Sequence, residues 1–281
     1  MENNINIPIR FQREIITHSL SNIVARNSNG NNKEIPLLLG IHGKSGQGKT
    51  YQIQQILKSI GFKVLHISGS QLESEKAGDP AKLIKKTYIE AASEFPKLNA
   101  ILIDDIDAGL GNWGALYQYT VNTQIIIATL MHIADNPTII DNKDVKRVPV
   151  IMTGNDFTKI YSPLSRPGRM RAFNWEPTFE EKLDILKPIF CSLSESDIKT
   201  LIKSFKEEPI SFFTDLKSYA IQEKIWQFYN EYDKKDILNQ LALGSGLKNE
   251  IHFNTPISEL KNIGNEIKKN TTYINHLKES N

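Results

Sequence analysis

The feature that most constrains this chain is a glycine loop, Gly43-Lys44-Ser45-Gly46-Gln47-Gly48-Lys49-Thr50, set between an apolar run and a helix-forming stretch. It satisfies the pattern G-x-x-x-x-G-K-[ST] at every fixed position. Ordinary residue usage produces that pattern by chance in roughly 0.01 of chains this long, before any flanking context is required. The context is present. Leu37, Leu38, Leu39, Gly40 and Ile41 are apolar on both faces, as in a central parallel strand, and Lys49 to Ser59 reads as a helix. The glycines let successive backbone N–H groups and the helix N-terminus converge on phosphates. Lys49 then reaches the β and γ oxygens, and Thr50 offers its hydroxyl to Mg²⁺. The expected nucleotide contacts are Gly43, Lys44, Ser45, Gly46, Gln47, Gly48, Lys49, Thr50 and the adjoining Tyr51, with ATP and Mg²⁺ as cofactors.

Strand and helix patterns alternate around this loop. Lys63 to Ile67, Ala100 to Ile103 and Val148 to Met152 read as further buried strands, and Arg171 to Trp175 as a last edge strand. Arg10 to Arg26 carries a helical apolar stripe, Pro80 to Phe95 an amphipathic helix, and Tyr117 to Ala134 a longer one. From Pro177 onward the pattern is helical only: Phe179 to Phe190, Glu195 to Phe205, a piece around Phe212 to Tyr232, and Ser258 to Lys278. The fold class expected is α/β, a P-loop core with a parallel five-stranded sheet and helices on both faces, followed by a small α-helical lid. A length of 281 residues suits one large domain plus a small one. The expected boundaries are 1–35 for a leading helix and linker, 36–176 for the nucleotide-binding domain and 177–281 for the lid.

Charge excludes little by itself. With 34 basic against 32 acidic residues, no field is strong enough to call for a nucleic-acid or membrane partner, and neither is expected. No apolar run approaches the roughly 20 residues of a membrane span, and Met1 to Arg10 lacks the basic start and apolar centre of a secretion signal, so a cytosolic setting is expected. The single cysteine, Cys191, reads as a buried structural thiol. His18, His42, His66 and His132 are too far apart for ligand spacing, so no zinc site is indicated. Lysines alternating with apolar residues from Lys261 to Lys278 read as the solvated face of a lid helix.

The remaining chemistry follows the loop in a fixed order. Ile101-Leu102-Ile103-Asp104-Asp105 is an apolar strand ending in two carboxylates. Asp104 is assigned to Mg²⁺, usually through water, and Asp105 to polarising the attacking water; its side chain is one methylene shorter than the Glu usual there. Thr153-Gly154-Asn155-Asp156 ends the next buried strand and brings Asn155 toward the γ-phosphate, although the same residues also suit an ordinary turn. Ser165-Arg166-Pro167-Gly168-Arg169 then sets two arginines on a tight turn. They read either as surface residues or as arginine fingers offered to a neighbour's ATP.

The order and wording of these motifs resemble Rubisco activase, an AAA+ family. The likeness extends to Ser70-Gln71-Leu72-Glu73-Ser74, Ala77-Gly78-Asp79-Pro80-Ala81-Lys82-Leu83-Ile84, Asp107-Ala108-Gly109, Gln118-Tyr119-Thr120-Val121-Asn122, Ala128-Thr129-Leu130-Met131, Ile133-Ala134-Asp135-Asn136-Pro137-Thr138 and Thr153 to Phe157. It is strong over residues 36–190 and fainter in the lid, at Ile210-Ser211-Phe212-Phe213 and the helix after Pro256. The resemblance implies that Lys49, Thr50, Asp104 and Asp105 form the hydrolysis centre, that Asn155 is the first sensor, and that Arg166 and Arg169 are the fingers. It further implies a homo-oligomeric ring, a hexamer, whose pore-facing loops grip a client; here those are Glu73 to Asp79 and Gly109 to Gln118. The client implied is the Rubisco large subunit, freed of inhibitory sugar phosphates at the expense of ATP, in a bacterial, cyanobacterial-type cytosol or in a chloroplast stroma. Trp113, between Gly111 and Gly114, suits either a gripping aromatic or a half-buried loop anchor.

Three departures qualify the likeness. Asp104-Asp105 stands where the family reads Asn-Asp. A second-sensor arginine is missing or replaced by Lys217, which is then a further expected nucleotide contact, and a point charge cannot clamp phosphate bidentately. The long N-terminal extension of plant members and the small-subunit-like module of some cyanobacterial ones are not seen. The alternatives are a remodeller of another client and a nucleotide-gated scaffold with weak hydrolysis.

Overall fold

A computed structural model describes residues 6–27, 34–72, 76, 78–107, 121–231 and 254–279. The chain divides into two compact units, Ile9–Glu176 and a second that runs from Pro177 to the end and takes in the residues before Ile9. In the first unit the order is α1 (Ile9–Asn27), β1 (Leu38–His42), α2 (Lys49–Ser59), β2 (Lys63–Ser68), α3 (Asp79–Ser93), β3 (Asn99–Asp104), α4 (Val121–Asp135), a two-stranded hairpin of β4 (Ile139–Ile140) and β5 (Lys143–Asp144), β6 (Val150–Gly154), the short turn α5 (Ser162–Ser165) and β7 (Met170–Asn174). Five strands make one parallel sheet in the order β2-β3-β6-β1-β7.

The register of this sheet builds the site. Ser68 pairs with Asp104, Ile103 with Met152, and His42 with Gly154, so β2, β3, β6 and β1 finish level with one another. The phosphate loop, the two acids and the Asn155 turn therefore emerge along a single edge, outside the carboxyl ends of the strands, where open α/β sheets bind ligands. The apolar strands are legible because both faces are covered: Leu39, Ile41, Leu102, Ile103, Ile151 and Met152 are fully buried. The hairpin and α5 were not expected; both are too short to show a period.

The leading helix, read from the sequence as part of a separate segment 1–35, lies within the sheet-bearing unit. Phe11 and Ile15 are fully buried, Phe11 packs 4.5 Å from the ring of Trp175, and Arg10 lies over that same ring at 5.0 Å while donating to the Glu176 carbonyl at 2.9 Å. At its other end Asn22 donates to the Pro36 carbonyl and accepts from Arg147 Nε at 2.7 Å. Between them His18 is buried, and that burial drops its pKa from 6.5 to about 3. Below pH 6.5 the unfolded chain binds a proton that the folded one refuses, so stability is lost as pH falls from 6.5 toward 3, at about 1.4 kcal/mol per pH unit. The urea midpoint at pH 5 is therefore expected to fall relative to pH 7 by the equivalent of about 2 kcal/mol, more steeply than in a His18→Gln variant. Equal slopes for the two proteins would contradict the assignment.

The second unit carries α6 (Phe179–Ile189), α7 (Glu195–Ser204), α8 (Ile210–Glu231) and α9 (Ile257–Glu279). Thr178 and Glu181 form a reciprocal capping box that starts α6, and Ser194 caps α7. Leu183, Leu186, Leu201, Phe205, Phe213 and Leu260 make its core. Lys182 is buried here with its ammonium donating to the Glu208 carbonyl at 2.8 Å. Cys191 corrects the expectation of a buried thiol: it is exposed, because Phe190 takes the inward position and the cysteine falls in the turn after α6. No helix among the described residues is long and apolar enough to cross a membrane.

Candidate nucleotide-binding site

The phosphate loop takes its shape from close backbone contact. A side chain at Gly43 would place a Cβ 2.2 Å from the carbonyl oxygen of Trp175, and Gly48 enters α2 with φ at 70°, a left-handed conformation that glycine adopts at no steric cost. The Trp175 indole donates to the Gln47 carbonyl at 3.0 Å and its backbone N–H to the His42 carbonyl at 2.7 Å. Gln52 donates to the carbonyls of Gln47 and Gly48. Trp175, expected only as the end of a strand, is thus a brace for the loop. Lys44 and Ser45 are exposed, Lys44 lies 3.9 Å from Glu176, and Tyr51 is about half exposed on α2.

Lys49 is 7% exposed and its ammonium donates to three oxygens: the Gly43 carbonyl at 2.7 Å, the Lys44 carbonyl at 3.1 Å and Asn155 Oδ1 at 3.1 Å. Burial lowers its pKa, and the carboxylates of Asp105, Asp107 and Asp104 oppose that shift. The two carbonyls are neutral acceptors that phosphate oxygens replace with gain, since hydrogen bonds to ionised groups are roughly twice as strong. Thr50 Oγ1 donates to Asp104 Oδ1 at 2.5 Å, and Thr153 Oγ1 donates to the same oxygen. A hydroxyl and a carboxylate touching at the level of the phosphate loop are a hard-oxygen pair of the kind Mg²⁺ takes together with phosphate and water.

Asp105 follows with φ at 49°, an uncommon backbone for a residue with a side chain, and its N–H donates to Thr153 Oγ1 at 3.0 Å. Partial withdrawal from solvent raises its pKa, the negative charges of Asp104 and Asp107 raise it further, and Lys49 opposes them. Asp107, 3% exposed, accepts on Oδ2 from the backbone N–H groups of Asn155 at 2.7 Å and Asp156 at 2.9 Å. It thereby fixes the turn that aims Asn155 at Lys49. Its role was missed in the sequence, although a third carboxylate two residues past the paired acids was the available signal. Asp107→Ala removes two charge-assisted hydrogen bonds worth about 1.5–3 kcal/mol each. The variant is expected to lose turnover at least tenfold with nucleotide affinity nearly unchanged, and Asp107→Asn, which keeps one acceptor oxygen, to recover part of it. Equal losses in affinity and turnover would contradict a role confined to aiming Asn155.

The two arginines differ. Arg166 is exposed and makes no ion pair or side-chain hydrogen bond with a described residue. Arg169 is held against Asp135 through two hydrogen bonds, at 2.7 and 2.6 Å. Lys217 lies on α8 in the second unit, where its ammonium donates to the Ile189 carbonyl. Trp113 and the segment Gly109 to Gln118 lie outside the described residues, as do 73–75 and 77 of the other expected pore loop.

Comparison with known proteins matches this arrangement in two adjoining pieces. Residues 39–177 match the family described as ATPase family associated with various cellular activities (AAA), and residues 179–270 match the family described as ribulose bisphosphate carboxylase/oxygenase activase, AAA, helical. A ribulose bisphosphate carboxylase/oxygenase activase of Anabaena sp. is 41% identical over 239 residues, 81% of this chain and 57% of the relative. One from Nostoc sp. is 41% identical over 233 residues, 79% of this chain and 55% of its own length. The chloroplastic protein of Arabidopsis thaliana is 39% identical over 242 residues, 83% of this chain and 50% of its own. The chain thus spans between half and three-fifths of the length of these relatives. A nucleotide-loop sheet followed by an activase-type helical unit, with identity running through both, settles its place: the chain belongs to the Rubisco activase family of AAA ATPases.

Proposed function

We propose that this chain binds ATP with Mg²⁺, hydrolyses it within a homo-oligomeric ring, a hexamer, and uses the cycle to free the Rubisco large subunit of inhibitory sugar phosphates. The observation that carries the reading is the cluster of Lys49, Asn155, Thr50 and Asp104 at one edge of the sheet, each side chain already hydrogen-bonded to another member. Such preorganisation is what phosphoryl transfer asks of a protein, because the chemistry is mostly positioning and charge stabilisation.

In this reading the backbone of Gly43 to Thr50 cradles the phosphates and Lys49 exchanges its two carbonyl partners for their oxygens. Thr50 and Asp104 would hold Mg²⁺, which when bound neutralises charge on the phosphates. Asp105 takes the proton of the attacking water. Its partial burial beside Asp104 and Asp107 raises its pKa, in the direction a general base needs. Asn155 orients that water or the γ-phosphate, and the arginine turn of the neighbouring subunit completes the site. The cell compartment proposed is the one that holds Rubisco, a bacterial cytosol or a chloroplast stroma.

Lys217 supports a second reading. Its ammonium donates to the Ile189 carbonyl within its own unit, and a point charge there cannot clamp a phosphate bidentately as an arginine does. A lid with so weak a phosphate clamp suits a nucleotide-gated scaffold with weak hydrolysis. Steady-state ATP hydrolysis over a protein concentration series separates the two. Specific activity that rises with concentration and then saturates supports hydrolysis in an assembled ring, and a rate near zero at every concentration favours the scaffold.

A further inference from the structure

We infer that Arg169 is a positioning residue that locks the arginine turn onto the C-terminal end of α4, so that Arg166 alone is presented to a neighbour's phosphate. The inference deepens the proposed function and rests on its trans-acting arginine turn.

Arg169 has little capacity left for a ligand. Its Nε donates to Asp135 Oδ1 at 2.7 Å and one terminal nitrogen to Asp135 Oδ2 at 2.6 Å, the parallel fork geometry in which guanidinium and carboxylate fit best. The other terminal nitrogen donates to the Pro163 carbonyl at 2.7 Å and lies 3.1 Å from Met131 Sδ. The side chain is 13% exposed. These four contacts tie Met131 and Asp135, on the last turns of α4, to α5, whose end carries Ser165 and Arg166. The backbone extends the tie: the N–H groups of Arg169 and Met170 donate to the Arg166 carbonyl, and the Arg169 carbonyl accepts from Leu38, the first residue of β1. The arginine turn is thereby fixed to a helix on one side and, on the other, to the strand that leads into the phosphate loop.

Ionisation agrees with a committed pair. Hydrogen bonding from Arg169 holds the Asp135 carboxyl below the usual carboxylate range, and the nearby charge of Arg166 adds to this in a minor way. Arg166 has the opposite character, exposed and unpaired among the described residues, as a residue that meets its partner only on assembly must be.

The test is a set of full-length variants measured for ATP turnover, ATP KM and thermal midpoint. Asp135→Asn keeps the side-chain shape and removes the charge. If Arg169 positions the turn, Asp135→Asn and Arg169→Ala each lower kcat about tenfold or more with KM within about twofold, and the double variant falls no further than either single. The reversed pair, Asp135→Arg with Arg169→Asp, regains part of the lost turnover. If Arg169 itself meets phosphate, Asp135→Asn frees it, and turnover in that variant stays at or above the wild-type rate. That outcome overturns the inference, as does a double variant whose losses multiply. Arg166→Ala serves as the separate check on the underlying reading. Wild-type turnover in Arg166→Ala would remove the trans-acting turn altogether, whatever Asp135→Asn does.

Discussion

Lys49→Ala is expected to abolish nucleotide binding at any concentration a cell supplies. The ammonium is the one cation buried inside the phosphate loop, and it already points at oxygen acceptors there. Two charge-assisted hydrogen bonds to phosphate at about 1.5–3 kcal/mol each put the loss at roughly 10²- to 10⁴-fold in affinity. Titration with a fluorescent ATP analogue reads it directly. The substitution also leaves the Gly43 and Lys44 carbonyls and Asn155 Oδ1 without their donor, so the thermal midpoint is measured alongside. Lys49→Met, which keeps most of the volume without the charge, is expected to lose binding equally while melting closer to wild type. Unaltered affinity in a folded Lys49 variant would contradict the assignment of the loop.

Arg166→Ala is expected to do the reverse, sparing nucleotide binding and removing hydrolysis. A trans-acting arginine stabilises charge that develops only as the phosphoryl group moves, and such residues are worth about 10³- to 10⁵-fold in turnover. Arg166 is exposed and unpaired among the described residues, and in the proposed ring its phosphate comes from another copy. Mixing therefore distinguishes the geometry. An Arg166→Ala subunit binds ATP and lacks the finger, whereas a Lys49→Ala subunit keeps the finger and binds none. Rings assembled from both contain interfaces at which one subunit's ATP faces the other's intact Arg166. Turnover in the mixture above that of either variant alone is the expected result, and no recovery at any mixing ratio would place the arginine in its own subunit's site or outside the reaction.

How much of this was legible in the sequence depended on how local the cause was. The strands are apolar on both faces because helices cover both, so runs such as Leu37 to Ile41 and Ala100 to Ile103 announce themselves. The loop's glycines, Lys49 and Thr50 are read from eight consecutive residues, and the position of Asp104 and Asn155 follows once the strands are known to be parallel and in register. What escaped is what distant segments impose. Trp175 braces a loop 128 residues away, Asp107 pins a turn 48 residues on, and Arg169 is claimed by an aspartate 34 residues before it. Of these only Asp107 had a local cue, its place two residues past the paired acids. Cys191 failed for a simpler reason: apolar neighbours suggest burial, but only the helix phase decides which of two adjacent residues points inward, and Phe190 took that place.

Coupling of hydrolysis to a Rubisco client is the heart of the proposed function. It is tested most directly by adding the purified protein to Rubisco held inactive by a bound sugar phosphate and following the return of carboxylation with ATP, with a non-hydrolysable analogue, and with the Arg166→Ala protein. Recovery is expected with ATP alone, at a rate that tracks ATP turnover. Rubisco that stays inactive while ATP is hydrolysed at the full rate would contradict it and leave an AAA ATPase acting on another client.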